Sequence, residues 1–161
     1  MMEKTRLDQR ATTIYFDGSS LGRGRRGGPG ASAAAVWLLH PDETSEIQSR
    51  YIRLGDSDLA EYEALILGLT LAKERGATTL RIYGDSRNVI DQVLGLKSVK
   101  KVSLRHCLEE VNSLLLNFPD WSLQWIPRDK NGVADAAARR CIETRGLEAA
   151  LMTSRLEDLV S

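Results

Sequence analysis

The spacing of apolar residues changes once along the chain, at Leu59. Before that point, short segments rich in β-branched residues, aromatics and alanine are broken by glycine and polar residues. Beyond it, apolar positions recur every three or four residues. A chain built this way must place extended hairpin-like segments first and then alternate helix with strand. Residues 12–17 (Thr-Thr-Ile-Tyr-Phe-Asp) read as a strand, with Ile14 and Phe16 on one face and Thr13, Tyr15 and Asp17 on the other. Residues 22–30 hold five glycines among arginines and read as a loop. Residues 31–39 and 46–54 complete an antiparallel meander. Leu59, Tyr62, Leu65, Ile66 and Leu69 then mark a helix stopped by Gly76.

The second half alternates. Residues 79–83 read as a strand, and Asp85-Ser86 can cap a short helix carrying Val89, Ile90, Val93 and Leu94. Leu104, Cys107, Leu108, Val111, Leu114, Leu115 and Phe118 line one seam of a longer helix. Residues 121–126 form a last strand, halted by Pro127, in which Trp121, Leu123 and Trp125 are expected to face the core. Asn131 is expected to cap a final core helix reaching about Arg145. The order β-β-β-α-β-α-α-β-α predicts an α/β fold: a five-stranded mixed sheet, three strands antiparallel and two parallel, with helices packed on it. One domain is expected over residues 12–145. Residues 1–11 are read as flexible, and residues 146–161 as a helical tail that lays Leu147, Leu151 and Leu156 over the sheet edge.

Composition removes several classes. Across 161 residues, Lys plus Arg and Asp plus Glu are both 22, so the net charge is zero and a uniformly basic nucleic-acid binder is excluded. The apolar run at residues 33–39 is far too short to span a bilayer, and the charged N-terminus carries no apolar signal segment. No membrane partner and a cytoplasmic location are expected. Cys107 and Cys141 have no nearby Cys or His, which argues against a disulfide framework or a zinc site. His40 and His106 read as structural.

Four acids stand at element ends, where chemistry gathers in mixed sheets. Asp17 closes the first strand, Asp85 closes the fourth, and Asp135 lies in the first turn of the last core helix among small residues. Glu61 heads a row of Ala64, Leu65, Gly68 and Ala72, whereas Glu63 shares its face with Leu67, Thr70 and Glu74. The anomalous carboxylate is therefore Glu61. Taken alone, the same acids also read as separate caps and surface charges.

Four segments carry a resemblance. Ile14-Tyr15-Phe16-Asp17-Gly18-Ser19, Ala60-Glu61-Tyr62-Glu63-Ala64-Leu65, Tyr83-Gly84-Asp85-Ser86 and the stretch from Ile126-Pro127-Arg128 through Asn131 to Ala134-Asp135 resemble type 1 ribonuclease H. The similar form is the archaeal and bacterial one whose last motif is P-R-x-x-N-x-x-A-D. The resemblance implies a ribonuclease H-like fold and an acidic tetrad of Asp17, Glu61, Asp85 and Asp135. It implies that the tetrad binds two Mg²⁺ ions, with Mn²⁺ able to substitute, and hydrolyses the RNA strand of an RNA–DNA hybrid. The ends left are 5′-phosphate and 3′-hydroxyl. Oxygen-only donors suit such hard cations.

For the hybrid, the resemblance points to Gly18, Ser19, Ser57, Asp58, Ser86, Arg87, Arg128 and Asn131. Asp56-Ser57-Asp58 replaces the family's usual Thr-Asn-Asn and Arg87 replaces a common glutamine; the histidine that some members carry in the loop before the last acid is absent, and Arg128 stands in that loop, as in the similar subgroup. Arg23 and Arg25, in the basic loop Arg23-Gly24-Arg25-Arg26, either touch the nucleic-acid backbone or form a plain hairpin tip. Lys97, Lys100, Lys101 and Arg105 read as a solvated face. The alternatives to the enzyme are a non-catalytic hybrid-binding module derived from a reverse transcriptase and another nuclease of the same fold. A monomer is expected.

Overall fold

The computed structural model describes residues 8–22 and 29–160. Strand β1 (Thr12–Ser20) lies at the centre, antiparallel to β2 (Gly30–Leu39), which is antiparallel to β3 (Ser45–Gly55). Helix α1 (Ser57–Glu74) carries the chain back, so that β4 (Thr79–Gly84) enters parallel to β1. Helices α2 (Arg87–Val93) and α3 (Val102–Leu115) lead to β5 (Asp120–Trp125), parallel to β4. Helix α4 (Gly132–Val160) closes the chain. The sheet order β3-β2-β1-β4-β5 is the mixed five-stranded sheet expected from the element order.

The ends of α1 are written in its sequence. Asp56 Oδ1 accepts from the Leu59 amide at 2.8 Å, and Lys101 Nζ donates to Asp56 Oδ2 at 3.1 Å. At the other end Gly76 takes φ +75°, its amide donates to Lys73 O, and the Ala77 amide donates to Ala72 O. That pair of bonds is a Schellman stop, and the positive φ is the reason glycine stands there.

Two layers of core hold the sheet. Ile14, Phe16, Val36, Leu38, Leu80 and Ile82 bury one face against Tyr62, Leu65, Ile66 and Leu69 of α1, with Leu104, Val111 and Leu115 of α3 behind them. On the opposite face Ala33 and Ala35 receive Ala138 and Ile142 of α4. The alternation along β2 therefore separates a thick core from a thin one built of alanines. No helix among the described residues is long and apolar enough to cross a membrane.

Five local expectations change. β1 runs on through Asp17 to Ser20, because Ser20 Oγ donates to Gly55 O and accepts from Ser32 Oγ, tying the strand end to β2 and β3. Asp8–Arg10 forms a 3₁₀ turn and Ala11 is buried, while residues 1–7 lie outside the described residues. Asn131 does not cap α4 with its side chain, which turns inward instead. Trp125 is exposed rather than core, whereas Trp121 and Leu123 do pack against the core. Finally, α4 is one continuous helix of 29 residues, about 43 Å long. Beyond Ile142 it buries nothing, and Leu147, Leu151 and Leu156 are exposed rather than laid over the sheet.

Two outcomes follow for stability. A chain ending at Arg145 should keep its thermal midpoint within about 3 °C in calorimetry, since the removed turns contribute no buried surface. Glu46 accepts from Arg75 Nε and Nη2 at 3.1 and 2.9 Å, and lies 2.8 Å from His40 Nε2, joining β3 to the end of α1. The Arg75 guanidinium and then His40 pull its carboxyl down to about 2 from 4.5. The stability this adds is present above pH 4.5 and is lost as pH falls through about 2. Denaturant titrations should show a Glu46→Gln deficit of about 1 kcal/mol or less at pH 7 that closes towards pH 2.

Candidate active site

The register of two parallel strands makes the site. Phe16 faces Gly84 in the last pair of the β1–β4 ladder, so the next residues, Asp17 on β1 and Asp85 just past β4, stand side by side where that pairing ends. Glu61 arrives from the first turns of α1, which can come this close because residue 18 is glycine. A Cβ on Gly18 would stand 2.3 Å from the backbone carbon of Ala60 and 2.3 Å from the amide nitrogen of Glu61. Asp17, Glu61 and Asp85 each offer an oxygen within 4.8 Å of the others, from three elements remote in sequence. Asp135, in the first turn of α4, adjoins Asp17 at the edge of this group and is held at 2.9 Å by Arg139.

Burial sets the electrostatics. Asp17 is 4 % and Glu61 6 % exposed. Burial first, and then the charges of Asp85 and Asp135, push the Asp17 carboxyl up to about 7 from 3.8, although its hydrogen bond with Glu61 works the other way. Glu61 is raised well above 4.5, chiefly by burial and then by the charge of Asp17. Burial drives Glu61 furthest from its ordinary value, so of the two it is the one that keeps a proton. Its Oε2 is buried without any hydrogen-bond partner. An orphaned carboxylate oxygen beside two more carboxylates, with no nitrogen or sulfur donor in the cluster, fits a hard divalent cation. Glu63, by contrast, points away to Arg50 at 3.7 Å.

The remaining candidates take several positions. Asn131 is 1 % exposed, and its Nδ2 donates to Phe16 O at 2.9 Å and to Asp85 Oδ2 at 2.8 Å. It pins Asp85 to the end of β1 and is not placed to touch a ligand outside. Ser86 caps α2 by accepting from the Val89 amide. Asp58 accepts from Asn88 Nδ2, Ser57 is exposed at the start of α1, and Ser19 lies half-buried on β1. Arg128 is exposed in a 3₁₀ turn before α4. Arg87 lies with its guanidinium 4.1 Å from the ring centre of Trp125. Arg23, Arg25 and Arg26 lie outside the described residues. Sequence reasoning missed Trp125, whose alternation with Trp121 and Leu123 suggested the core. Its position as the last residue of β5, level with Gly84, was the available signal.

Comparison with known proteins settles the family. Residues 22–141 match the model of the reverse transcriptase-like family. Ribonuclease HI of Halobacterium salinarum is 34 % identical over 131 residues, 80 % of this chain. The chain belongs to the type 1 ribonuclease H family. The crystal structure of ribonuclease H1 from the same halophile superposes with a TM-score of 0.76 at 32 % identity, covering 83 % of this chain and 98 % of that one. The N-terminal ribonuclease H domain of a Mycobacterium tuberculosis protein gives 0.77 at 28 % identity, covering 86 % and 98 %. A further ribonuclease H1, solved in complex with an RNA/DNA hybrid, gives 0.72 at 26 %, covering 83 % and 98 %. The chain spans 63 % of the length of the curated Halobacterium protein and 37 % of a curated bifunctional protein of M. tuberculosis.

The acid cluster has a stability signature of its own. Asp17 is raised in the fold, so stability held below pH 3.8 is lost as pH climbs through about 7. In EDTA, Asp17→Asn should therefore raise the thermal midpoint by roughly 2–6 °C at pH 8 and by much less at pH 5. Millimolar Mg²⁺ should raise the wild-type midpoint at pH 8 and leave that of Asp17→Asn nearly unmoved. An Asp17→Asn midpoint equal to wild type at pH 8 would show that the carboxylates do not repel.

Proposed function

We propose that this chain is a metal-dependent endonuclease that hydrolyses the RNA strand of RNA–DNA hybrids, leaving 5′-phosphate and 3′-hydroxyl ends. The observation that carries the reading is the convergence of Asp17, Glu61 and Asp85. It is supported by membership of the family and by the hybrid present in a related ribonuclease H1 structure. Asp17, Glu61 and Asp85, with Asp135 at the rim, would hold two Mg²⁺ ions, and Mn²⁺ would substitute. Bound there, such ions lower the pKa of an attacking water and neutralise charge on the leaving oxygen.

The protein's own groups do the rest. Asn131 fixes which oxygen of Asp85 faces inward by donating to Oδ2. Glu61 holds a proton at the floor of the site and yields it as cationic charge arrives, because the same burial that raises its pKa strengthens its attraction to a cation. The exposed Ser57 hydroxyl and the Arg87 and Arg128 guanidiniums supply donors for sugar and phosphate around the acids. RNA is told from DNA by its 2′-hydroxyls, read across the shallow minor groove. A monomer suffices, since one chain supplies every acid, and the free thiols of Cys107 and Cys141 suit the reducing cytoplasm.

A gel assay of end-labelled RNA–DNA, RNA–RNA and DNA–DNA duplexes tests the reading. The wild-type chain with Mg²⁺ should cut only the RNA strand of the hybrid, and EDTA should stop it. Asp85→Asn should lower the rate by roughly 100-fold or more while the protein stays folded. Hybrid binding without cleavage in Mg²⁺ or Mn²⁺ would favour a non-catalytic module. Cutting of DNA duplexes would favour a different nuclease.

A further inference from the structure

Trp125 ends β5 level with Gly84, one residue before Asp85. It is 37 % exposed, and it makes two contacts at once. Its indole N–H donates to the carbonyl of Asp85 at 3.1 Å, while its ring face carries the guanidinium of Arg87 at 4.1 Å. The Ile126 amide closes the ladder onto Gly84 O at 2.9 Å, so the indole stands on an anchored strand end. Arg87, the first residue of α2, is held from below as well, because Tyr62 Oη donates to the buried Gln92 Oε1 at 2.7 Å and fixes α2 to α1.

The charge of Arg87 is held by an aromatic ring and not by a carboxylate. Arg50, Arg75, Arg81, Arg139 and Arg145 each face a carboxylate. Among the described residues none pairs with Arg87, which nonetheless has a fixed plane. A guanidinium stacked on an aromatic face keeps its in-plane N–H donors free at the edges. Such a fork suits two oxygens of one phosphate. Because one rigid ring contacts both the Asp85 carbonyl and Arg87, the spacing between cation and acid cluster does not depend on a flexible side chain. Holding the fork in place before a ligand arrives removes an ordering cost from binding.

We propose that Trp125 is a positioning residue that holds Arg87 as a preformed clamp for the phosphodiester backbone of the strand crossing the acid cluster. This rests on the hybrid-cleaving function proposed above. The contacts also divide the labour of the indole: its face serves binding through Arg87, and its N–H serves the turn that bears Asp85.

Four variants separate these roles. Trp125→Phe keeps a ring face and loses the N–H, Trp125→Leu loses both, Arg87→Ala removes the cation, and Arg87→Lys keeps charge without the plane. Binding of a fluorescein-labelled RNA–DNA hybrid is read by anisotropy in EDTA over a range of KCl, and kcat and KM are measured with Mg²⁺. Trp125→Leu and Arg87→Ala should each weaken metal-free binding roughly fivefold and lower the salt slope by about one. The double variant Trp125→Leu/Arg87→Ala should bind no more weakly than either single one, because the two side chains act as a unit. Trp125→Phe should keep wild-type binding and KM while its kcat falls a few-fold. Additive losses in the double variant overturn the proposal, as does wild-type affinity in a folded Trp125→Leu. Wild-type behaviour of Arg87→Lys, an exposed change that leaves the core untouched, overturns it independently of how Trp125→Leu folds. A wild-type chain that binds no hybrid would instead overturn the functional reading beneath it.

Discussion

Three carboxylates crowded where the pairing of β1 with β4 ends are the arrangement to which the surrounding structure must answer. Two like charges within 4.8 Å of each other repel by about 3 kcal/mol or more at an effective dielectric near 20, and burial adds to that. No acid in this group would choose its neighbours. They stay together because each is fixed by something stronger than the repulsion: Asp17 and Asp85 by the β1–β4 ladder, Glu61 by the packing of α1 on the sheet. Gly18 permits the last approach, and Asn131 spans Phe16 and Asp85 so that one carboxylate oxygen is satisfied while others stay free. A site held against its own electrostatics relaxes by taking up protons or cations, and the raised pKa values of Asp17 and Glu61 are that tendency expressed without cations.

The two faces of the sheet divide this task unequally. The thick core beneath α1 and α3 secures three of the acids. Asp135 rides on α4, whose seat is the thin layer of Ala33, Ala35, Ala138 and Ile142. Alanines let the helix lie close but bury little apolar area, so α4 is fastened less firmly than α1. Its ion pair with Arg139 holds Asp135 at the rim and orients it from its own helix. Asp135 therefore rests on the lighter of the two seats, while Asp17, Glu61 and Asp85 are set by the heavier one.

The sequence disclosed what depends on period and punctuation. The change of spacing at Leu59, the stop at Gly76 and the cap at Ser86 produced the correct element order, and the sheet followed from it. Glu61 was separable from Glu63 because a carboxylate at the head of an apolar row has no reason to be there unless it is used. What stayed hidden depends on contacts between distant segments. Asn131 looked like a helix cap, since a buried amide reaching 115 residues back to Phe16 leaves no local trace. Trp125 looked like core because alternation tells which face a residue takes and not where the covering helices end. The core helix and the helical tail expected on either side of residue 146 are one helix for a related reason: glycine weakens an exposed helix without ending it, and Leu147 and its neighbours are exposed.

An acid cluster that serves a polyanion faces a contradiction, because the groups that attract cations repel the ligand to be cut. Net charge cannot resolve it here, since positive and negative residues balance. The resolution has to be local and directional. At the start of α1, Asp58 is turned towards Asn88, which leaves the Ser57 hydroxyl as the outward group. On the other side of Asp85, Arg87 carries a cation with no carboxylate paired to it among the described residues, braced by the indole that also grips the Asp85 carbonyl. With cations held by the acids and a planar cation beside them, a phosphate backbone would meet attraction at the cluster in place of repulsion, which is how the proposed function would be reconciled with the charge of the site.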